Sequence, residues 1–178
     1  MCRLFACSLL AAVLAGAAAP PAVAADPCSD FKWNVSKEHA LFSGSPVSLR
    51  AGKDIPSAPT IDADRLYLLE LTPQDQVAFA VSPGKKMLTD GAYAGLAVIK
   101  INAPGAYRVS VDVPFWIDVV AGGKLVPTKD FQGQRGCDAP HKIVEYELAG
   151  AQPFVLQVSG MTMPTVRVTV TRSPHTQP

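Results

Sequence analysis

The chain has 178 residues, of which 48% are hydrophobic and 17% charged, and its 16 basic and 15 acidic side chains give a formal net charge of +1. A chain of this length suits one domain with a substantial core. Near-neutrality without basic clusters argues against a nucleic-acid surface, which needs excess positive charge to displace counterions, and against binding to anionic membranes.

Residues 1–25 have the order of features found in a cleavable secretory signal. Arg3 supplies a basic start, residues 4–19 form an apolar run, and a double proline and a small-residue stretch follow. The apolar run is shorter than the roughly 20 residues that a membrane-spanning helix needs, and it ends at the two prolines. We therefore expect a periplasmic or secreted protein, cleaved after Ala24 or Ala25, with no stable membrane insertion afterwards.

The mature chain starts with an arm, residues 26–46, which is predicted to contain one short helix. Five residues of the arm recur near the helical period: Trp33, Ser36, Lys37, Ala40 and Leu41. Ser29 or Asp30 is the expected N-cap of this helix. A Gly-Ser-Pro run at 44–46 is expected to stop it.

Residues 47–172 are predicted to form a succession of short strands. The clearest two, 107–113 and 166–171, alternate apolar and polar residues strictly, so each is expected to have one buried and one solvated face. About nine strands are predicted in all, at 47–51, 65–71, 76–81, 95–101, 107–113, 115–120, 142–148, 154–159 and 165–171.

Turns containing proline and glycine separate these strands at intervals too short for crossover helices. This excludes parallel βαβ units and predicts an all-β fold. The expected form is an antiparallel, jelly-roll-like β-sandwich of about 8–9 strands with one short N-terminal helix, and a closed barrel is the alternative. The tail, residues 173–178, has no apolar pattern and is expected to be disordered.

Two cysteines, Cys28 and Cys137, remain once Cys2 and Cys7 leave with the leader. In an oxidising compartment such a pair is most simply a disulfide, which would tie the arm to a late loop. It would close a loop of about 110 residues, for which the chain-entropy model gives roughly 4 to 5 kcal/mol. Two free thiols, one of them a nucleophile, are the alternative.

Potential metal ligands are few. The histidines are His39, His141 and His175, and the last lies in the tail. An iron oxygenase needs two histidines and a carboxylate around an open metal position, so His39 and His141 with Glu38 or Glu145 form an alternative ligand set. A structural or surface role for the two histidines is preferred, and no metal or other cofactor is predicted.

A zinc site is a second alternative. Cys137 and His141 are spaced as zinc ligands can be, but a structural site has four ligands, and Cys28 and His39 would have to complete it. Because such a site competes for the same two sulfurs, the disulfide is the preferred prediction.

The segment 114–120 carries the clearest binding feature. If alternate residues of this strand face the core, Trp116 and Asp118 point outward together and offer a stacking plane beside a hydrogen-bond acceptor. Carbohydrate-binding sandwiches use such pairs, whereas a tryptophan that covers the rim of the core is the alternative. The predicted ligand-binding residues are Trp116, Asp118 and Lys142.

Four sequence blocks resemble a family of small exported proteobacterial proteins: WNVSKEHALF, AYAGLAVIKINAPGAYRVSVD, FWIDVV and GCDAPHKIVEYELAGAQPFVLQVSG. The resemblance extends over nearly all of the mature chain. Some members of that group carry a homogentisate 1,2-dioxygenase label, which implies a cupin-type metal-ligand motif without a counterpart in these residues. The C-terminal blocks are also similar to sandwich domains attached to secreted peptidases, a likeness that implies fold and not function.

These features predict a non-enzymatic module that binds a glycan, another envelope component or a partner protein. Its surface would be one sheet face or the loops around Trp116 and Lys142. The expected partner is an envelope protein or a carbohydrate, and no nucleic acid is expected. A small metal-dependent, dioxygenase-like enzyme that uses His39 and His141, and a structural accessory protein, are the alternatives.

Overall fold

A computed structural model describes residues 26–86, 90–150 and 152–174. The predicted leader at 1–25, with its cleavage after Ala24 or Ala25, lies outside the described residues. So do residues 175–178 of the predicted tail, which include His175. The described part of the chain forms a β-sandwich with one short α-helix, which confirms the all-β prediction.

The elements, in chain order, are α1 (Ser36–Phe42), β1 (Val47–Arg50), β2 (Thr60–Asp62), β3 (Leu66–Glu70), β4 (Thr72–Pro73), β5 (Tyr93–Lys100), β6 (Gly105–Val111), β7 (Trp116–Ala121), β8 (Lys124–Leu125), β9 (Thr128–Gly133), β10 (Lys142–Leu148), β11 (Phe154–Met161) and β12 (Thr165–Arg172). Two 3₁₀ turns, at Pro27–Ser29 and Gln74–Gln76, complete them.

The strands form two sheets. The first sheet has the order β1-β3-β12-β6-β10-β9, and the second has the order β2-β5-β11-β7-β8, with β4 also paired to β5. Neighbours are antiparallel except at β1–β3 and β2–β5. These two parallel pairs are a departure from the purely antiparallel prediction. They need no crossover helix, because the chain between β1 and β3 passes through the second sheet as β2.

The core lies between the two sheets and follows the period-two pattern of the central strands. Tyr107, Val109 and Val111 of β6 are buried there, as are alternate valines of β12. The Tyr146 hydroxyl of the first sheet donates a hydrogen bond of 2.9 Å to the Ile117 carbonyl of the second. Burial raises the pKa of Tyr146 above its ordinary range, so this donor keeps its proton.

The arm contains a shorter helix than the sequence predicts. α1 begins at Ser36 and not after the expected N-cap at Ser29 or Asp30. The Lys32 amide donates to Gln132 Oε1 in β9, and Gln132 Nε2 donates to the Asp30 carbonyl. Because the polar backbone groups of this stretch bond to β9, the helix starts only after it.

The outer face of the first sheet is buried, although the alternation in β6 and β12 predicts a solvated one. Arg108 and Ser110 of β6 and Thr169 and Thr171 of β12 are all buried. α1 packs against β12, and its Glu38 accepts a hydrogen bond of 2.6 Å from the Thr171 hydroxyl. Two of these polar residues, Arg108 and Thr171, therefore bond to the arm.

The prediction of a strand at 76–81 is wrong. This segment begins at the end of a 3₁₀ turn and continues as a loop on the outer face of the second sheet. Val77 and Phe79 pack there against Leu96 and Val120. The alternating apolar residues are thus buried by side-chain contact with a sheet, without the backbone pairing of a strand.

Strands β2, β4, β8 and β9 have no counterpart in the sequence prediction. The first three have two or three residues each, which is too short to show a period. β9 has the sequence TKDFQG, in which a single apolar residue stands among polar ones. It forms the edge of the first sheet and is mostly exposed.

The disulfide between Cys28 and Cys137 is present, as predicted. It joins the arm to the loop between β9 and β10. Within residues 26–86, 90–150 and 152–174, no helix has the length and apolar character needed to cross a bilayer.

Candidate functional site

A cleft lies at one side of the sandwich, where β7 of the second sheet and β9 and β10 of the first line a common cavity. Its volume is about 360 Å³, which is within the usual range for small-ligand sites. Ile117 and Val144 are almost fully buried, whereas Phe131 is 64% exposed. The other lining residues are Trp116, Thr128, Lys129, Asp130 and Lys142.

The sheet order explains why Phe131 is exposed. Phe131 pairs in register with Val144 of β10, and β9 has no strand on its other side in the described sheet. An aromatic ring on an edge strand therefore has protein neighbours on one side only. Exposed aromatic rings beside a cavity are typical of ligand-binding surfaces.

Trp116 is held in place by hydrogen bonds to a buried carboxylate. Its Nε1 donates to Asp118 Oδ1 at 3.0 Å, and the Gly84 amide donates to Asp118 Oδ2 at 2.9 Å. A Cβ at position 84 would lie 2.9 Å from Asp118 Oδ1, so a larger residue there would have to displace the carboxylate. Asp118 is thus 8% exposed and positions the indole.

The alternation of β7 correctly puts Trp116 and Asp118 on the outer side of the strand, since Ile117 and Val119 belong to the core. The loop that contains Gly84 nevertheless covers Asp118. Both carboxylate oxygens accept hydrogen bonds from the chain, so this side chain does not lie open beside the indole as the sequence predicts.

Two lysines flank the indole of Trp116. Lys142 Nζ lies 5.2 Å and Lys85 Nζ 5.6 Å from the ring centroid, distances at which a cation is attracted by the ring face. Lys142 also donates a hydrogen bond of 2.7 Å to the Phe115 carbonyl. Burial, then the charge of Lys85, lowers the pKa of Lys142, while Asp118 raises it.

The acidic groups at the rim of the cleft have partners of their own. Asp130 Oδ1 accepts from Lys32 Nζ at 2.6 Å and from the Phe131 amide at 2.8 Å. Among the described residues, neither Lys85 nor Lys142 has a carboxylate partner in an ion pair. The indole side of the cleft therefore carries two ammonium groups without a direct ion pair, and the Asp118 carboxylate offsets only part of their charge.

Glu38 and Glu145, which the sequence offers as alternative metal ligands, lie in a buried cluster under the arm. Arg108 Nε donates to Glu145 Oε2 at 3.2 Å, and Arg108 Nη1 lies 3.8 Å from Glu38 Oε1. The Thr171 and Ser173 hydroxyls donate to these two carboxylates at 2.6 Å each. The arginine and the hydroxyls therefore bind one oxygen of each carboxylate, Glu38 Oε1 and Glu145 Oε2, and the guanidinium places a positive charge where a metal ion would have to lie.

The two histidines of that alternative metal set have different surroundings. His39 lies beside the disulfide, and the ligand atoms of Cys28, His39 and Cys137 fall within 4.8 Å of one another. His141 donates through Nδ1 to the Cys137 carbonyl at 3.0 Å. In the part of the chain that the structure describes, no group of three close ligands combines His39 and His141 with a glutamate.

The roles of three residues are not predicted from the sequence. They are Lys85 and Phe131, which lie near or in the cleft, and Arg108, which lies in the buried cluster. A lone phenylalanine in a polar stretch is a signal for an exposed ring, and the Pro-Gly turn before Lys85 is a signal for a loop, although not for the strand that the loop approaches. Arg108 occupies a polar position in an alternating strand, and nothing in that pattern distinguishes a buried arginine from a solvated one.

No known family model matches this chain, and no curated protein sequence matches it. The function is therefore argued from the cleft itself.

Proposed function

We propose that this protein is a non-enzymatic, exported binding module that holds an acidic glycan of the cell envelope in the cleft between β7 and β9. The observation that carries the proposal is the presence at one cleft of an exposed aromatic ring and a lysine without an ion-pair partner among the described residues. Phe131 supplies the ring and Lys142 the charge beside Trp116, whose indole Lys85 also approaches from a neighbouring loop.

The chemistry of a sugar acid fits these groups. A pyranose ring has an apolar C–H face, which packs on an aromatic ring, and hydroxyls, which bond to polar side chains. Phe131 offers the aromatic ring, and Thr128 offers a hydroxyl on the same strand. A carboxylate on the sugar would provide the counter-charge that Lys142 lacks within the described chain.

The carboxylates near the cleft favour binding over catalysis. General acid–base chemistry needs a carboxyl that can exchange a proton with the ligand. Asp118 accepts hydrogen bonds through both oxygens, and Asp130 is paired with Lys32. The groups left to contact a ligand are ammonium, aromatic and hydroxyl groups, which hold a ligand without making or breaking bonds.

The proposed compartment is supported by the disulfide together with the predicted leader. Disulfides persist in oxidising compartments and are rare in the cytosol. The Cys28–Cys137 bond is such a disulfide, and the leader at 1–25 would deliver the chain to the periplasm or the medium. In either place the module would meet envelope glycans.

Calorimetric titration with an oligogalacturonate, compared with a neutral oligosaccharide of equal length, tests the proposal. We expect binding of the acidic oligosaccharide alone. Phe131→Ala should weaken it roughly 2- to 12-fold, because an aromatic contact is worth about 0.5 to 1.5 kcal/mol. Trp116→Ala should weaken it at least as much, since the indole also positions the two lysines.

The matched control is Met163→Ala, which removes an exposed apolar side chain, 55% accessible, that does not line the cleft. It should bind like the wild type. Near-ultraviolet circular dichroism separates a binding defect from loss of fold in Trp116→Ala. Equal binding of both oligosaccharides, or of neither, would contradict the proposal, as would unchanged affinity in Phe131→Ala.

The pH dependence of this binding follows from Lys142. Its pKa lies below the ordinary lysine value of 10.5, mainly because of burial. A lowered pKa means that the ammonium loses its proton at a lower pH than an ordinary lysine does. The affinity for oligogalacturonate should therefore fall over a pH range below that in which exposed lysines lose their charge.

Lys142→Arg is the control for this titration, because a guanidinium keeps its charge throughout that range. Its affinity should stay constant where the wild-type affinity falls. An equal fall in both proteins would show that another group causes the pH dependence.

A further inference from the structure

Three metal-binding side chains meet at the junction of the arm, α1 and the loop before β10. Cys28 comes from the arm, His39 from α1 and Cys137 from the loop, and one ligand atom of each lies within 4.8 Å of the other two. Cys137 is 2% exposed. The two sulfurs form the disulfide, and the imidazole lies against it.

The imidazole of His39 is not fully used by the described chain. Its Nε2 atom is buried and has no hydrogen-bond partner among the described residues. Buried polar atoms are nearly always paired, so a buried nitrogen without a partner calls for an explanation. A neutral imidazole nitrogen and two sulfurs form a donor set that soft and borderline metal ions prefer.

We propose that reduction of the Cys28–Cys137 disulfide creates a site for one thiophilic d¹⁰ cation, Zn²⁺ or Cu⁺, bound by the two cysteine sulfurs and a ring nitrogen of His39. A dithiol supplies the two electrons and two protons that convert the disulfide into two thiols, and the dithiol itself becomes a disulfide. Metal binding then displaces the two thiol protons, so two thiolates and a neutral imidazole hold the cation.

The distances suit such a site. Zinc binds sulfur at about 2.3 Å and imidazole nitrogen at about 2.0 to 2.1 Å, so tetrahedral ligands lie about 3.5 to 3.8 Å from one another. The three donor atoms already fall within 4.8 Å. Small side-chain rotations after reduction would therefore bring them to binding distance, and a fourth position would be left for water on zinc or left empty on Cu⁺.

Other contacts would hold the three elements together once the sulfurs separate. Lys32 of the arm pairs with Asp130 of β9 at 2.6 Å, and Gln132 bonds to the Asp30 carbonyl. α1 is fixed independently by Glu38, which accepts from Thr171. The arm and α1, which carry Cys28 and His39, thus keep contacts to the first sheet that do not depend on the disulfide.

The test is anaerobic metal titration of the full mature chain, before and after reduction with a phosphine that is then removed. One arm uses Zn²⁺ against a chromophoric zinc chelator, and the other uses Cu⁺ against a Cu⁺-specific chelator. We expect one ion per reduced chain in at least one arm and none per oxidised chain. The arm that succeeds identifies the cation.

Two histidine variants show whether the site is the one proposed. His39→Gln should lower the affinity at least about 10- to 100-fold, the effect found even for groups that only support a ligand. His141→Gln should lower the affinity less, because that ring supplies no ligand atom and bonds only to the backbone carbonyl of Cys137. Both variants keep the disulfide, so their fold can be verified in the oxidised state by near-ultraviolet circular dichroism.

Three results would overturn the proposal. The first is that the reduced chain binds neither ion stoichiometrically. The second is that His39→Gln binds metal as tightly as the wild type. The third is metal uptake by a reduced chain whose near-ultraviolet dichroism is lost and does not return. The last would show cysteines binding in an unfolded chain. Recovery of the dichroism on adding the metal, together with the loss of affinity in His39→Gln, would support it.

Discussion

Replacing Arg108 with methionine is expected to lower the free energy of unfolding by about 3 to 5 kcal/mol, the cost of removing one partner from a buried ion pair. Arg108 is 4% exposed, donates to Glu145 at 3.2 Å and lies 3.8 Å from Glu38. Its removal leaves Glu38 without a counter-charge and leaves Glu145 with only the half-exposed Lys129, 3.9 Å away. It also removes a hydrogen bond of 3.1 Å to the Asn34 carbonyl, which holds the arm.

Urea unfolding of the oxidised protein measures this effect, and two further variants interpret it. Arg108→Lys keeps the charge but not the forked donors, so its loss should be intermediate. Lys37→Met breaks an ion pair with Asp64 whose side chains are about half exposed, and it should change stability by no more than about 1 kcal/mol. Equal losses in Arg108→Met and Lys37→Met would contradict the buried cluster.

Removing the disulfide should have an effect of similar size. The two cysteines are 109 residues apart in sequence. The chain-entropy model gives a loop of this length about 4 to 5 kcal/mol of stabilisation, which is a large share of the roughly 5 to 15 kcal/mol that a domain has. Cys28→Ser/Cys137→Ser should therefore unfold at a much lower urea concentration than the oxidised wild type.

The control for this prediction is the wild type after reduction, which should resemble the double variant when no metal is present. Intact mass gives an independent check, because reduction adds two hydrogens to the oxidised chain. A double variant as stable as the oxidised protein would show that the bond does not constrain the unfolded chain.

The long central strands could be predicted because their side chains follow a strict period of two. Alternation in 107–113 and 166–171 locates β6 and β12 and identifies the residues that face the core. It does not identify what lies on the other face. A polar residue such as Arg108 or Thr169 has the same place in the pattern whether water or the arm covers it.

The errors in the predicted elements have a related cause. The segment 76–81 carries apolar residues that pack on the second sheet, and side-chain burial alone does not distinguish a packed loop from a paired strand. Short edge strands such as β8 contain too few residues for a period. The helix start is shifted because Lys32 and Gln132 bond across about 100 positions of sequence, which no local pattern encodes.

The candidate site could be located only in part. Trp116 and Lys142 do line one cleft. Asp118, however, is covered by the loop that contains Gly84, and the sequence does not reveal that this loop approaches it. Phe131 lies on a strand that no periodic pattern predicts, and its place in the same cleft as Trp116 depends on how the two sheets stack. The disulfide could be predicted without knowledge of the fold, because only two cysteines remain beyond the predicted leader.

The most direct test of the proposed function is nuclear magnetic resonance of the labelled mature chain during titration with oligogalacturonate. The account predicts that the indole N–H signal of Trp116 and the backbone amides of Phe131 and Lys142 shift together and saturate at one ligand per chain. Saturable shifts confined to residues far from β7, β9 and β10, or no shifts at millimolar ligand, would contradict it.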